Sequence, residues 1–296
     1  MQEADIIRNI VQNFEWSTID DIESVVNYIA SKKKEEFNMD FELSIEYDEG
    51  GKILSERTDQ GKLQVEIGIL PLYSIKSDKE LGFSTDYIEE RKEFIELILL
   101  TFHELRHVKQ SIDIIDRPIV NEETLRMTTE RIINYSLPGL INIYNYETSV
   151  QEVDAMVTSL IEASTFFKDM DFAISPDEIF EVMKEKELKF LNYNLGDFGN
   201  SYVGALNNFK KIIKTPSEIK GVNEIIQALP TEKKEIINNE CLELLSKYNS
   251  EVDIKKKLGI LTEISLIISP EVKTMYPLCQ YLNCSLGNDL SSKMRN

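Results

Sequence analysis

Between Phe94 and Phe102 only Glu96 and Thr101 are polar. A helix that is apolar nearly all round belongs in a protein interior, so this block requires a buried helix. The pattern predicts that helix over about 86–111, with Ser84 or Thr85 as its cap and Glu89, Glu90, Arg91 and Lys92 in its first turns. The residues immediately C-terminal to the block are carried inward with it. They are His103-Glu104-Leu105-Arg106-His107.

His103 and His107 stand four apart, so on a helix their imidazoles project from one face about a turn from each other. Both rings can then reach one metal ion. Zinc takes neutral imidazole nitrogen at roughly 2.0–2.1 Å, and a catalytic zinc keeps three protein ligands with a fourth position open to water. Glu104, next to the first histidine, is placed to take a proton from that water as general base. The chain has two histidines in all. For two placed at random, the chance of this spacing with a glutamate after the first is under about one in a thousand.

A surface ion pair is the plainer use for Glu104, but Leu100, Thr101, His107 and Val108 fill the positions three and four away. No Lys or Arg sits there. A carboxylate between Leu100 and Val108 bears a desolvation cost unless a cation or a water-filled cleft offsets it, and Zn²⁺ is such a cation.

Around this helix the chain reads as α+β and mostly helical. Helices are expected from Asp5 to about Phe14 and again after Ser17 or Thr18, where Ile19, Ile22, Val25, Val26 and Ile29 recur at helical spacing. Phe41, Leu43, Ile45 and Tyr47 then alternate with polar residues, and after Gly50-Gly51 so do Leu63, Val65, Ile67 and Ile69. These runs read as half-buried strands of a small antiparallel sheet. Further helices are expected over Asn121–Tyr135, from near Ser149 toward Phe167, and after Ser175-Pro176-Asp177. Thr215-Pro216 is the clearest boundary, which divides the chain into N-terminal helices (1–40), a core (41–214) and a helical C-terminal segment (215–296).

Acidic residues outnumber basic ones 52 to 33, for a net charge of −19, which disfavours nucleic acid and anionic lipid as partners. No run approaches the apolar length of a membrane span. The N-terminal stretch has Glu3 and Asp5 where a signal peptide would be basic. Three cysteines, Cys241, Cys279 and Cys284, include no C-x-x-C pair. An odd, late set of this kind fits a reduced, cytoplasmic chain.

With no third histidine, the third ligand is expected to be a carboxylate. The best candidate is Glu152, at the start of the next long helix, with Glu147 and Asp154 as rivals. Glu152 also completes a capping box with Ser149, an alternative use for the same side chain. Asp154 has a second possible role, accepting the N–H of a ligand histidine.

At this point the chain resembles the gluzincin metallopeptidases, in which the motif helix supplies two histidines and a later helix supplies a glutamate. Glu152-x-Asp154-Ala155 is similar to the E-x-x-A and E-x-E-A signatures of small bacterial and phage members. The resemblance covers about 41–167. It implies a zincin-like core, Zn²⁺ held by His103, His107 and Glu152, Glu104 as base, and a protein or peptide substrate. It further implies a Tyr or His that stabilises the oxyanion, for which Tyr144, Tyr146, Tyr193 and Tyr202 are the candidates, and an edge strand over Leu63–Leu70 that pairs with extended substrate. The alternative expectation is a zinc-containing, non-catalytic regulatory protein whose acidic helical surface engages a basic partner.

Overall fold

The computed structural model describes residues 3–48, 51–53, 62–112, 150–185, 200–214, 239–253, 256, 260 and 263. The expected helices over Asn121–Tyr135 and after Thr215-Pro216 up to residue 238 lie outside these residues. Helix α1 spans Glu3–Gln12 and a 3₁₀ turn comes next at Phe14–Trp16. Helix α2, Ile19–Phe37, starts at a reciprocal cap in which Thr18 Oγ1 accepts from the Asp21 N–H while the Asp21 carboxylate accepts from the Thr18 N–H. It ends at Asn38, whose φ of 49° is the left-handed cap that asparagine tolerates.

Three strands come after α2: β1 (Phe41–Glu46), β2 (Gly51–Ile53) and β3 (Leu63–Gly68). Their order is β1-β3-β2. The sheet is mixed and not the antiparallel one expected: β1 runs parallel to β3 with Phe41 opposite Leu63 and Ile45 opposite Ile67, and only β2 is antiparallel. Alternation of polar and apolar residues sets which face is buried, and it is the same for either strand direction. The chain after β1 crosses to the far edge of β3, so the two long alternating strands end up side by side and codirectional.

The same topology overturns the edge-strand expectation. β3 is the central strand, hydrogen-bonded on both sides, with Leu63, Val65 and Ile67 buried. Nor does the strand reach Leu70, where helix α3 (Leu70–Glu80) begins with Pro71 in its first turn. A proline at this position needs no N–H partner and has the φ a helix requires, so it marks a helix start as well as a strand end.

Helix α4 spans Tyr87–Ser111. Its first turn is held by Asp86, whose carboxylate accepts from the Ile88 N–H at 2.8 Å, in place of the Ser84 or Thr85 cap expected. Phe94, Ile95, Leu97, Ile98, Leu99 and Phe102 are all buried, as an apolar block of this kind requires. Helix α5 (Val150–Asp169), α6 (Pro176–Met183, capped by Ser175), α7 (Tyr202–Lys214) and α8 (Asn239–Ser250) complete the described elements.

The chain forms two compact units, 1–109 with 154–210 and 110–153 with 211–296. The first holds the sheet and an aromatic core. Phe14 stacks on Phe94 at 5.1 Å, and Phe94 meets Phe167 and Phe172 edge-on at 6.1 and 6.0 Å. Phe102 meets Phe166 at 6.1 Å. Aromatic contacts of this geometry add to the stability their burial already supplies. In the second unit, Leu244 and Tyr248 of α8 are buried four residues apart on one helical face. Among the described residues no helix is long and apolar enough to cross a membrane.

Candidate metal centre

The C-terminal third of α4 is buried on most of its circumference: Thr101 through Leu105, His107, Val108, Gln110 and Ser111 are all inside, and only Arg106 and Lys109 are partly exposed. The apolar block therefore does carry the motif inward. His103 and His107 are 9% and 8% exposed, and their Nε2 atoms are 3.1 Å apart with the rings nearly perpendicular at 81°. The four-residue spacing produces this convergence, since it returns the second ring to the same face one turn on.

Helix α5 supplies the third donor. Its first turn carries Glu152, 6% exposed, and one carboxylate oxygen together with one ring nitrogen from each histidine forms a set whose members lie within 4.8 Å of one another. Both α4 and α5 are continuous helices through these residues. Two imidazole nitrogens and a carboxylate oxygen at such distances can hold a metal ion. A histidine pair alone can also close 3.1 Å by an N–H···N hydrogen bond.

Glu104 is 5% exposed, and among the described residues it makes no hydrogen bond or ion pair. The sequence argument that no lysine or arginine lies within helical reach thus extends to the described tertiary neighbours. Burying a carboxylate without a cation is costly.

Asp154 has a different place from that of a rival ligand. It accepts from Arg106 Nε at 2.6 Å, and both side chains are largely shielded, 9% and 25% exposed. Gln110 Nε2 donates to the Gln151 carbonyl at 2.9 Å. Sequence reasoning missed both contacts. The signal present was only that Arg106 is a charged residue inside an otherwise buried turn. A cavity of about 40 Å³ on the Arg106 side is lined by Lys33, Glu36, Phe37, Lys109, Thr158 and Glu162, among others. Lys33 reaches Glu162 at 2.8 Å and Glu36 at 2.6 Å. Burial pushes the Glu162 carboxyl up from its ordinary value, against the opposing pull of Lys33.

Of the other candidates, Glu147, Ser149, Tyr144, Tyr146, Tyr193, Cys279 and Cys284 lie outside the described residues. Tyr202 opens α7, where its backbone N–H donates to the Asp177 carboxylate at 2.8 Å. No protein-family model matches the chain, and neither does any curated protein or solved structure.

Proposed function

We propose that this protein is a zinc-dependent metallopeptidase, built on a zincin-like core, that hydrolyses peptide bonds of a protein or peptide substrate. The observation that carries the proposal is the buried convergence of His103, His107 and Glu152, with Glu104 buried in the same turn of α4. The donor set suits zinc: two imidazole nitrogens bound about 2.0–2.1 Å from one tetrahedral ion stand about 3.3–3.4 Å apart. The 3.1 Å between the Nε2 atoms is close to that. Bound there, zinc supplies a Lewis acid that polarises the scissile carbonyl and makes water a nucleophile near neutral pH.

The chain's own residues supply the rest. His103 and His107, fixed by helix geometry, and Glu152, fixed by the first turn of α5, would hold the ion. Glu104 takes the proton from the attacking water and returns it to the leaving amine. Among the described residues no lysine or arginine pairs with Glu104. A base beside a ligand also favours catalysis over a structural site, which has no use for one. The odd cysteine count supports a reducing, cytoplasmic setting.

The test compares wild type and Glu104→Gln on a complex peptide mixture, with zinc content measured for both. One equivalent of zinc in each, with cleavage present in wild type and lost in the variant, is the expected result. Zinc bound without cleavage in either points to the non-catalytic regulatory protein. Absence of stoichiometric zinc overturns the metal assignment itself.

A further inference from the structure

We propose that Arg106 and Asp154 form a positioning pair that sets the metal affinity of the site by fixing the register of the two ligand-bearing helices. The inference rests on the metallopeptidase reading only in its assignment of His103, His107 and Glu152 to a metal.

The pair lies where register matters. Arg106 immediately precedes His107 on α4, and Asp154 comes two residues after Glu152 on α5. Their 2.6 Å contact is a charge-assisted hydrogen bond between largely shielded groups, stronger than an exposed ion pair. Two more ion pairs among the described residues reach from α4 toward the C-terminal half of unit 1, Arg91 to Glu178 and Lys92 to Glu185; they sit near its N-terminal end and involve glutamates about half exposed. Those leave the motif turn untouched.

Two contacts flank His107 on α4 and Glu152 on α5, while His103 lies one turn N-terminal to His107. Arg106–Asp154 lies on one side of the His107/Glu152 level and Gln110–Gln151 on the other. Along α4 the partners ascend from 106 to 110 while along α5 they descend from 154 to 151, so both helices are gripped across the same turn. Rotating α5 by one residue, about 100° at 3.6 residues per turn, would withdraw Glu152 from the histidines. The same rotation would break the Arg106 contact. The ion pair and the donor geometry are therefore satisfied together or lost together.

The pair also answers why a hydrophilic residue occupies position 106 at all. The guanidinium is partly exposed along the cavity edge while its Nε reaches inward to a nearly buried carboxylate. A lysine there keeps the charge but not the planar donor whose direction fixes the register.

The experiment is a double-mutant cycle on the full chain. Wild type, Arg106→Gln, Asp154→Asn and the double variant are titrated with zinc against a competing chelator, and the visible absorption of each cobalt-substituted protein is recorded. Metal-free unfolding midpoints are measured alongside. Each single variant is expected to bind zinc about 10–100-fold more weakly, the usual cost of losing a partner outside the ligand shell. The double variant is expected to be no weaker than the poorer single one, since one interaction is removed twice. Altered cobalt bands in the variants, and partial recovery of affinity in Arg106→Lys, are expected as well.

Wild-type affinity in all variants overturns the inference and leaves the metallopeptidase reading standing. A wild type that takes up no zinc overturns both. Should a single variant fail to fold because one shielded charge loses its partner, the double variant, which removes both members of the pair, decides by the same affinity criterion.

Discussion

Helix α4 buries a carboxylate on each side of its apolar block and treats the two in opposite ways. Glu90, fully buried, is held by Lys76 at 2.6 Å and Lys79 at 3.1 Å. Lys76 is itself 3% exposed and also donates to the Phe14 carbonyl, and its burial lowers its pKa against the opposing pull of Glu90. Glu104, in the motif turn beyond the block, is 5% exposed and has no such cation among the described residues. Both acids are costly to bury. At Glu90 the fold offsets the cost with its own lysines, which ties α3, α4 and the 3₁₀ turn together. At Glu104 no described lysine or arginine does so, and metal-capable donors stand next to it. The carboxylate without a described cation is thus the one beside the His103, His107 and Glu152 group.

The largest effect that can break this contrast is catalytic. Glu104→Gln is expected to lower the rate of peptide cleavage by about 10²–10⁴-fold, the range of a lost general base, with zinc content unchanged. Its metal-free unfolding midpoint is expected to hold or rise, because a buried charge has been removed. A clear fall in that midpoint would make Glu104 an architectural acid like Glu90.

Glu90→Gln is the mirror experiment. Stranding the buried Lys76 ammonium is expected to cost about 3–5 kcal/mol in chemical denaturation, the penalty for removing one member of a buried pair. Cleavage measured where the variant is still folded should match wild type. Next in size is the metal. At zinc concentrations about 100-fold above the dissociation constant, binding to the native state alone is expected to add about 2.7 kcal/mol to the unfolding free energy. Chelation or Glu152→Gln should remove most of that gain, whereas Glu90→Gln should not.

The sequence exposes the two acids unequally, and the reason is physical. Glu104 is legible because its constraints are local: an apolar block that must be buried, a four-residue histidine spacing, and no lysine or arginine three or four positions away. Glu90 looks like an ordinary first-turn acid, because Lys76 and Lys79 belong to a helix that the Leu63–Leu70 alternation masks at its start. Glu152 falls between these cases. Its distance from the motif in sequence is bridged only by α4 packing against α5, which Phe102–Phe166 and Arg106–Asp154 make visible in space and no periodicity reveals. The parallel pairing of β1 with β3 is hidden for a related reason, since side-chain alternation records faces and is silent on direction.

The finest test uses a carboxylate intermediate between the two. Glu162 is partly buried with one lysine, Lys33, 2.8 Å away, and burial, the larger influence, raises its pKa above the ordinary 4.5. With the folded-state pKa above the unfolded one, the native protein binds more protons than the unfolded chain in the window that opens near pH 4.5 and extends upward. Stability from this group is therefore present below that window and is lost as pH rises through the folded-state pKa. Glu162→Gln does not titrate, and Lys33 keeps its 2.6 Å contact with Glu36. Urea unfolding between about pH 4 and pH 7 should accordingly show the wild type losing ground to Glu162→Gln as pH increases. The opposite trend, wild type gaining with pH, would mean that Lys33 outweighs burial and that Glu162 belongs with Glu90. A single paired lysine at the edge of a cavity would then suffice for compensation, and Glu104, with no cation among the described residues, would stand further from Glu90 still.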